Sequence, residues 1–161
     1  MGVDLRDTIM QMARDTVVES VEKYIDVKPR NYFNYFKSLY TAFMPEGTLL
    51  IPDIANMTRD EVIDNTMEIV KRVYELKMMM VPEYELAQQE KEILLEVVDT
   101  YWVDHIDLMD QMRQSVGLVS VAQKDPVKEY TIEGYKMFES LNRKIRRETL
   151  KFVFTFDEEY E

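Results

Sequence analysis

The chain has 161 residues, 46% hydrophobic and 32% charged, with a formal net charge of −11; this is enough apolar material for a packed core and argues against disorder. A surface so negative repels phosphates, which disfavours nucleic acid and anionic lipid and favours a basic protein surface as partner. The lack of cysteine excludes disulfides and thiolate metal sites, and four glycines with five prolines are too few for the turns of an all-β fold.

Residues 3–26 read as a helix, because Ile9, Met12, Ala13, Val17, Val21, Tyr24 and Ile25 recur at three- and four-residue spacing. The opening stretch MGVDLRDTIMQMARD carries acids and no apolar centre, so no signal peptide is expected. Pro29 stops this helix. Residues 31–44 (NYFNYFKSLYTAFM) read as helix, with a strand as the alternative that their aromatic density allows. Two prolines and a glycine make 45–57 irregular.

Thr58 and Glu61 match a capping box, which starts a helix running to Met80 with Val62, Ile63, Ile69, Val70, Val73 and Leu76 inward. Met78, Met79 and Met80 read as core filler in preference to a peptide-binding surface, and the aromatic run 32–43 as core in preference to a ligand pocket. Pro82 interrupts. From Glu83 to Val116 the pattern is again helical, roughly 50 Å at 1.5 Å per residue. Gly117 reads as a left-handed cap and 118–124 as a loop. Asp125 then suits an N-cap and Pro126 the first helical position. The last helix runs to Phe154 with Val127, Tyr130, Phe138, Leu141, Ile145 and Phe152 as one stripe. No apolar run approaches the roughly 20 residues of a bilayer span.

The expected fold is therefore all-α: a helical sub-bundle over 1–82, a long antiparallel two-helix hairpin over 83–156, and a frayed tail over 157–161. A loop centred near Val121 sets Val116 opposite Val127, Met109 opposite Gly134, Trp102 opposite Leu141 and Val98 opposite Ile145. Gly134 then leaves room for Met109. The same register brings Asp99 to Lys144, Glu96 to Arg147 and Glu92 to Lys151, pairs worth roughly 0–1 kcal/mol each.

Catalytic chemistry finds little footing. His105 is the only histidine; Asp104, Asp107 and Asp110 lie near it, but Asp104 and Asp107 point to different helix faces, so a half-buried imidazole hydrogen-bonded within the hairpin is favoured over a metal ligand. No phosphate-cradling Gly-rich loop and no nucleophile–base set can be assembled. No catalytic residue, cofactor or metal is assigned.

The stretch DTYWVDHIDLMDQMRQSVGLVSVAQKDPVKEY, from Asp99 to Tyr130, resembles the two-helix finger of the SecA family, the ATP-driven motors of bacterial protein export. The residues that carry the resemblance are Asp99, Trp102, His105, Met109, Asp110, Arg113, Leu118, Gln123, Asp125, Pro126, Glu129 and Tyr130; Glu133, Gly134 and Phe138 continue it. It is strongest from Leu94 to Phe154, and residues 1–82 are similar, more loosely, to that family's helical wing. The resemblance implies a segment of a larger protein whose nucleotide-binding motor domains lie elsewhere, so ATP and magnesium belong to the full-length family and the segment itself is no enzyme. It implies contact of the finger tip, Leu118, Val119, Ser120, Val121, Ala122, Gln123 and Lys124, with unfolded preprotein and the SecY channel complex. The shaft residues Asp99, Trp102, His105, Met109, Asp110, Arg113, Asp125, Pro126, Glu129 and Tyr130 would face the remaining motor domains. The implied location is the cytoplasm, peripheral at the cytoplasmic face of the inner membrane. Val119, Ser120 and Val121 stand where the family usually has Arg, a small residue and an aromatic, so these positions carry neither that cation nor that ring. Two readings compete with this one: a free-standing helical adaptor for protein–protein contact, and an enzyme using the acidic face near His105.

Overall fold

The structure, a computed structural model, describes the backbone of residues 5–121 and 125–155 and, within these, the side chains of all but 116–121, 126, 129 and 130. Among the described residues the fold is all-helical: α1 (Leu5–Tyr24), α2 (Tyr32–Ala42), a single 3-10 turn (Ile54–Asn56), α3 (Arg59–Met80), α4 (Glu83–Val121) and α5 (Pro126–Val153). The expected frayed tail at 157–161 lies outside the described residues. The chain forms two compact units, Met1–Ile93 with Thr149–Glu161, and Leu94–Glu148.

The first unit buries one face of each contributing helix. From α1 come Ile9, Ala13, Val17 and Val21, one turn apart; Tyr35 and Leu39 come from α2, and Val62, Thr66, Ile69, Val70, Val73 and Tyr74 from α3. The aromatic run is thus helix, with Tyr35 and Phe43 in the core, Tyr32, Phe36 and Tyr40 packed at its edge and Phe33 exposed. Leu150, Val153 and Phe154 join the same cluster from the other end of the sequence. Phe154 packs edge-on against Phe43 at 5.0 Å and lies 6.0 Å from Tyr74.

The helix starts follow local chemistry. The Asn31 Oδ1 accepts from the Asn34 N–H at 3.0 Å and caps α2. Thr58 caps α3, its hydroxyl oxygen accepting from the Glu61 N–H at 3.2 Å. The reciprocal arm differs from expectation: the Glu61 carboxylate takes the Thr58 hydroxyl hydrogen, also at 3.2 Å. Val81 is extended, as a residue before proline prefers, and ends α3.

Two expectations on α3 fail. Leu76 is exposed, because the inward position of the last turn goes to Lys77, whose ammonium donates to the Val153 carbonyl. Met79 and Met80 are exposed as well, at 83% and 73%, so they are not core filler.

Tyr35 gives this core a pH limit. Thr66 donates its single hydroxyl hydrogen to the Val62 carbonyl at 2.8 Å, so the phenol is the donor in the 2.7 Å Tyr35–Thr66 bond. Burial pushes the Tyr35 phenol up to about 12. A raised folded-state pKa adds stability that is complete below pH 10 and lost as pH climbs toward 12, here roughly 2–3 kcal/mol. Urea unfolding between pH 8 and 11.5 is expected to show this loss in the native chain and a much flatter profile in Tyr35→Phe. Equal slopes in both would refute the assignment.

The last helices also correct the sequence reading. Gly117 lies inside α4, which continues in helical geometry to Val121; the expected cap and the loop from 118 do not occur there. Gly costs only about 1 kcal/mol inside a helix, and the helical segments on both sides carry it. On α5, Val127, Phe138 and Phe152 are exposed, whereas Leu141, Thr149, Leu150 and Val153 are buried. Leu141 and Ile145 thus keep their place in the expected stripe, while Val127, Phe138 and Phe152 fall outside it.

Candidate functional site

The second unit, Leu94–Glu148, is an antiparallel helix pair. On α4 its seam runs through Val97, Tyr101, His105, Leu108 and Met112; on α5 it runs through Gly134, Met137, Leu141 and Ile145. The three- and four-residue steps are those of a two-helix contact. A cavity of ≈ 70 Å³ interrupts it, lined by Tyr101, Asp104, His105, Leu108, Met137, Ser140, Leu141 and Lys144. Burial, then the negative charges of Glu148 and Asp104, push the Tyr101 phenol up.

The place expected for Trp102 belongs to its neighbour. Tyr101 and His105 line the cavity with Leu141, while Trp102 is 47% exposed. The Trp102 ring lies 5.5 Å from that of His105, tilted by 36°. His105 is buried in the seam with the Trp102 ring beside it; the expected hydrogen bond to it is not formed among the described residues. The pairs Asp99–Lys144, Glu96–Arg147 and Glu92–Lys151 do not form either. Lys144 lines the cavity beside Asp104, and Glu92 accepts from Gln88 along its own helix at 3.1 Å.

Gly134 does sit opposite Met109, as the register required, but it is not needed there for space. A Cβ at this position would meet Met112 Cε at 3.8 Å and Met109 Cε at 4.0 Å, ordinary contacts. Gly134→Ala is therefore expected to stabilise the hairpin by about 1 kcal/mol. Thermal unfolding followed by the fluorescence of Trp102 checks this; a lower midpoint would show a clash that the distances do not.

The candidate site residues fall into three groups. Asp99, Asp110 and Arg113 are exposed on α4, Met109 is half-buried in the seam, and Trp102 and His105 are placed as above. Asp125 caps α5: its Oδ1 accepts from the Val127 and Lys128 N–H groups at 3.1 and 3.3 Å, and Pro126 opens the helix. Glu129 and Tyr130 lie in α5 and Leu118, Val119, Ser120 and Val121 in the last turn of α4; Ala122, Gln123 and Lys124 are outside the described residues.

One feature escaped the sequence reading as a whole. Leu95, Val98, Trp102 and Ile106 are all exposed and recur every three or four residues, so they form a second apolar stripe beside the seam. Glu92, Glu96, Asp99, Asp107 and Asp110 are exposed around it. This is an apolar surface with an acidic border. Among the described residues no group of three or more His, Cys, Asp or Glu side chains is placed to hold a metal, and no helix is long and apolar enough to cross a membrane.

A helical bundle and a two-helix hairpin make this an all-helical protein of the kind the motif residues pointed to. The chain matches the SecA Wing and Scaffold domain over residues 1–157 and belongs to that family. It is 49% identical over 154 residues to protein translocase subunit SecA 2 of Clostridioides difficile (strain 630), covering 96% of this chain and 20% of that relative. Protein translocase subunit SecA 1 of the same strain is 35% identical over 153 residues, 95% of this chain and 17% of its own length. Protein translocase subunit SecA of Clostridium botulinum (strain Loch Maree / Type A3) is 34% identical over 160 residues, 95% and 19% respectively. The chain thus spans about a fifth of the length of these relatives.

Proposed function

We propose that this chain is the wing-and-finger module of a SecA-like preprotein translocase, a mechanical part that couples ATP-driven motor movement to the passage of unfolded preproteins through SecY. The observation that carries the reading is the apolar stripe Leu95–Val98–Trp102–Ile106 with its acidic border. A stripe of this kind suits docking against the remaining domains of a larger protein through apolar burial and complementary charge. The relatives, about five times longer, have the additional chain to supply such a partner. In this reading ATP and magnesium act in motor domains elsewhere, the tip at Leu118–Lys124 meets preprotein and channel, and the module works at the cytoplasmic face of the inner membrane without binding nucleic acid.

The test is a chimera. Residues 1–157 replace the matching segment of Clostridioides difficile SecA 2, and export of that protein's clients is measured. Export is expected to persist, and to fall at least tenfold with Trp102→Asp while the chimera stays folded. Loss of export with the unaltered segment would favour a free-standing adaptor instead.

A further inference from the structure

The outer face of α2 carries a second recognition surface, separate in sequence from the finger. Phe33, Phe36 and Tyr40 share one side of α2 at three- and four-residue spacing, next to the buried Tyr35 and Leu39; Phe33 is exposed, and Phe36 and Tyr40 are half-buried against the core. With Lys37, Thr41 and Glu46 they line a groove of ≈ 520 Å³, within the range of ligand sites. Phe33 is 75% exposed. The groove wall is held in place: the Leu49 N–H donates to the Tyr40 hydroxyl at 3.0 Å, and the Thr48 N–H closes a turn on the Pro45 carbonyl at 3.3 Å. Gly47, at φ +82°, takes the third position of that turn, where a type II turn needs positive φ.

The charges select the occupant. The chain as a whole is strongly negative, yet this groove sets one exposed cation, Lys37, and one exposed anion, Glu46, beside aromatic walls. Neither forms an ion pair among the described residues. A purely basic ligand would meet Lys37 and a purely acidic one Glu46. We propose that the groove binds extended, unfolded polypeptide in which an apolar side chain lies between an acidic and a basic residue. The ring walls take the apolar side chain, Lys37 the acid and Glu46 the base. This rests on the reading of the chain as a polypeptide-handling module and assigns that role a site on the wing, away from the tip.

The test uses three fluorescein-labelled unstructured peptides with one central phenylalanine, flanked by glutamate and lysine, by two lysines, or by two glutamates. Anisotropy titrations with the intact chain are expected to rank the mixed peptide first. Lys37→Glu moves the preference to the dilysine peptide and Glu46→Lys to the diglutamate peptide, each by roughly fivefold, the scale of one exposed ion pair. Phe33→Ser weakens all three, with circular dichroism confirming the fold. A wild-type preference for the dilysine peptide, which bulk charge alone produces, overturns the proposal; so does absent binding or a ranking indifferent to both charge swaps. Export by the chimera without peptide binding removes the groove alone, whereas peptide binding without export removes the translocase reading alone.

Discussion

Leu150→Ala is expected to destabilise the first unit by about 2–5 kcal/mol, the cost of emptying a leucine-sized space in a packed core. Leu150 is fully buried and lies in one cluster with the apolar faces of α1, α2 and α3. It arrives beside Val153 and the Phe154 ring, which is itself clamped by Phe43 and Tyr74. The surrounding side chains come from separate helices and cannot collapse together into the hole. Far-UV circular dichroism in urea measures the loss. Trp102, the single tryptophan, lies in the other unit and reports independently on the hairpin. A change below about 1 kcal/mol would mean that the C-terminal segment is peripheral to this core.

Glu90→Ala is expected to cost about 3–5 kcal/mol, because it breaks a buried charge cluster and leaves its partners behind. Glu90 is 4% exposed, accepts the Tyr74 hydroxyl at 2.6 Å, and attracts the Lys77 ammonium. Burial pulls the Lys77 pKa below its ordinary value, and Glu90 partly restores it. With the carboxylate gone, the phenol loses its acceptor and the ammonium loses its counter-charge. Glu90→Gln keeps an acceptor and should lose less. The pH dependence separates the two effects. A lysine with a lowered folded-state pKa penalises folding below that pKa, and the penalty is relieved as pH rises toward 10.5. In Glu90→Gln this recovery begins at lower pH than in the native chain. Identical profiles would mean that the charge of Glu90 does not reach Lys77.

Much of the fold was legible in the sequence because local signals there are strong. Thr58 and Asp125 are polar groups that satisfy free N–H groups at helix starts, and Pro82 stops a helix through its own geometry. The α1 face could be read from Ile9 to Val21 because its other faces are polar. The same logic failed on α4, which is apolar around much of its circumference. Leu94, Leu95, Val97, Val98, Tyr101 and Trp102 offer two candidate seams, and sequence periodicity cannot choose between them. The largest ring offers itself as the anchor, but Tyr101 fills that place and Trp102 stands outside. Gly117 misled for a different reason: glycine permits a helix end without enforcing one. The candidate site was legible as a set of motif residues. Their division into seam, cap and exposed stripe needed the register, which depends on tertiary packing.

The clustering of Leu150, Val153 and Phe154 with residues near the start of the chain constrains how the protein is made. On the ribosome, α1, α2 and α3 emerge first, but their shared apolar faces stay incompletely covered until Phe154 has been translated. The whole hairpin is synthesised during that wait. Contacts between such distant positions form slowly, and exposed apolar faces attract aggregation in the interval. A chaperone that shields the nascent α1–α3 bundle would therefore raise the yield of this chain more than one acting on the finished hairpin.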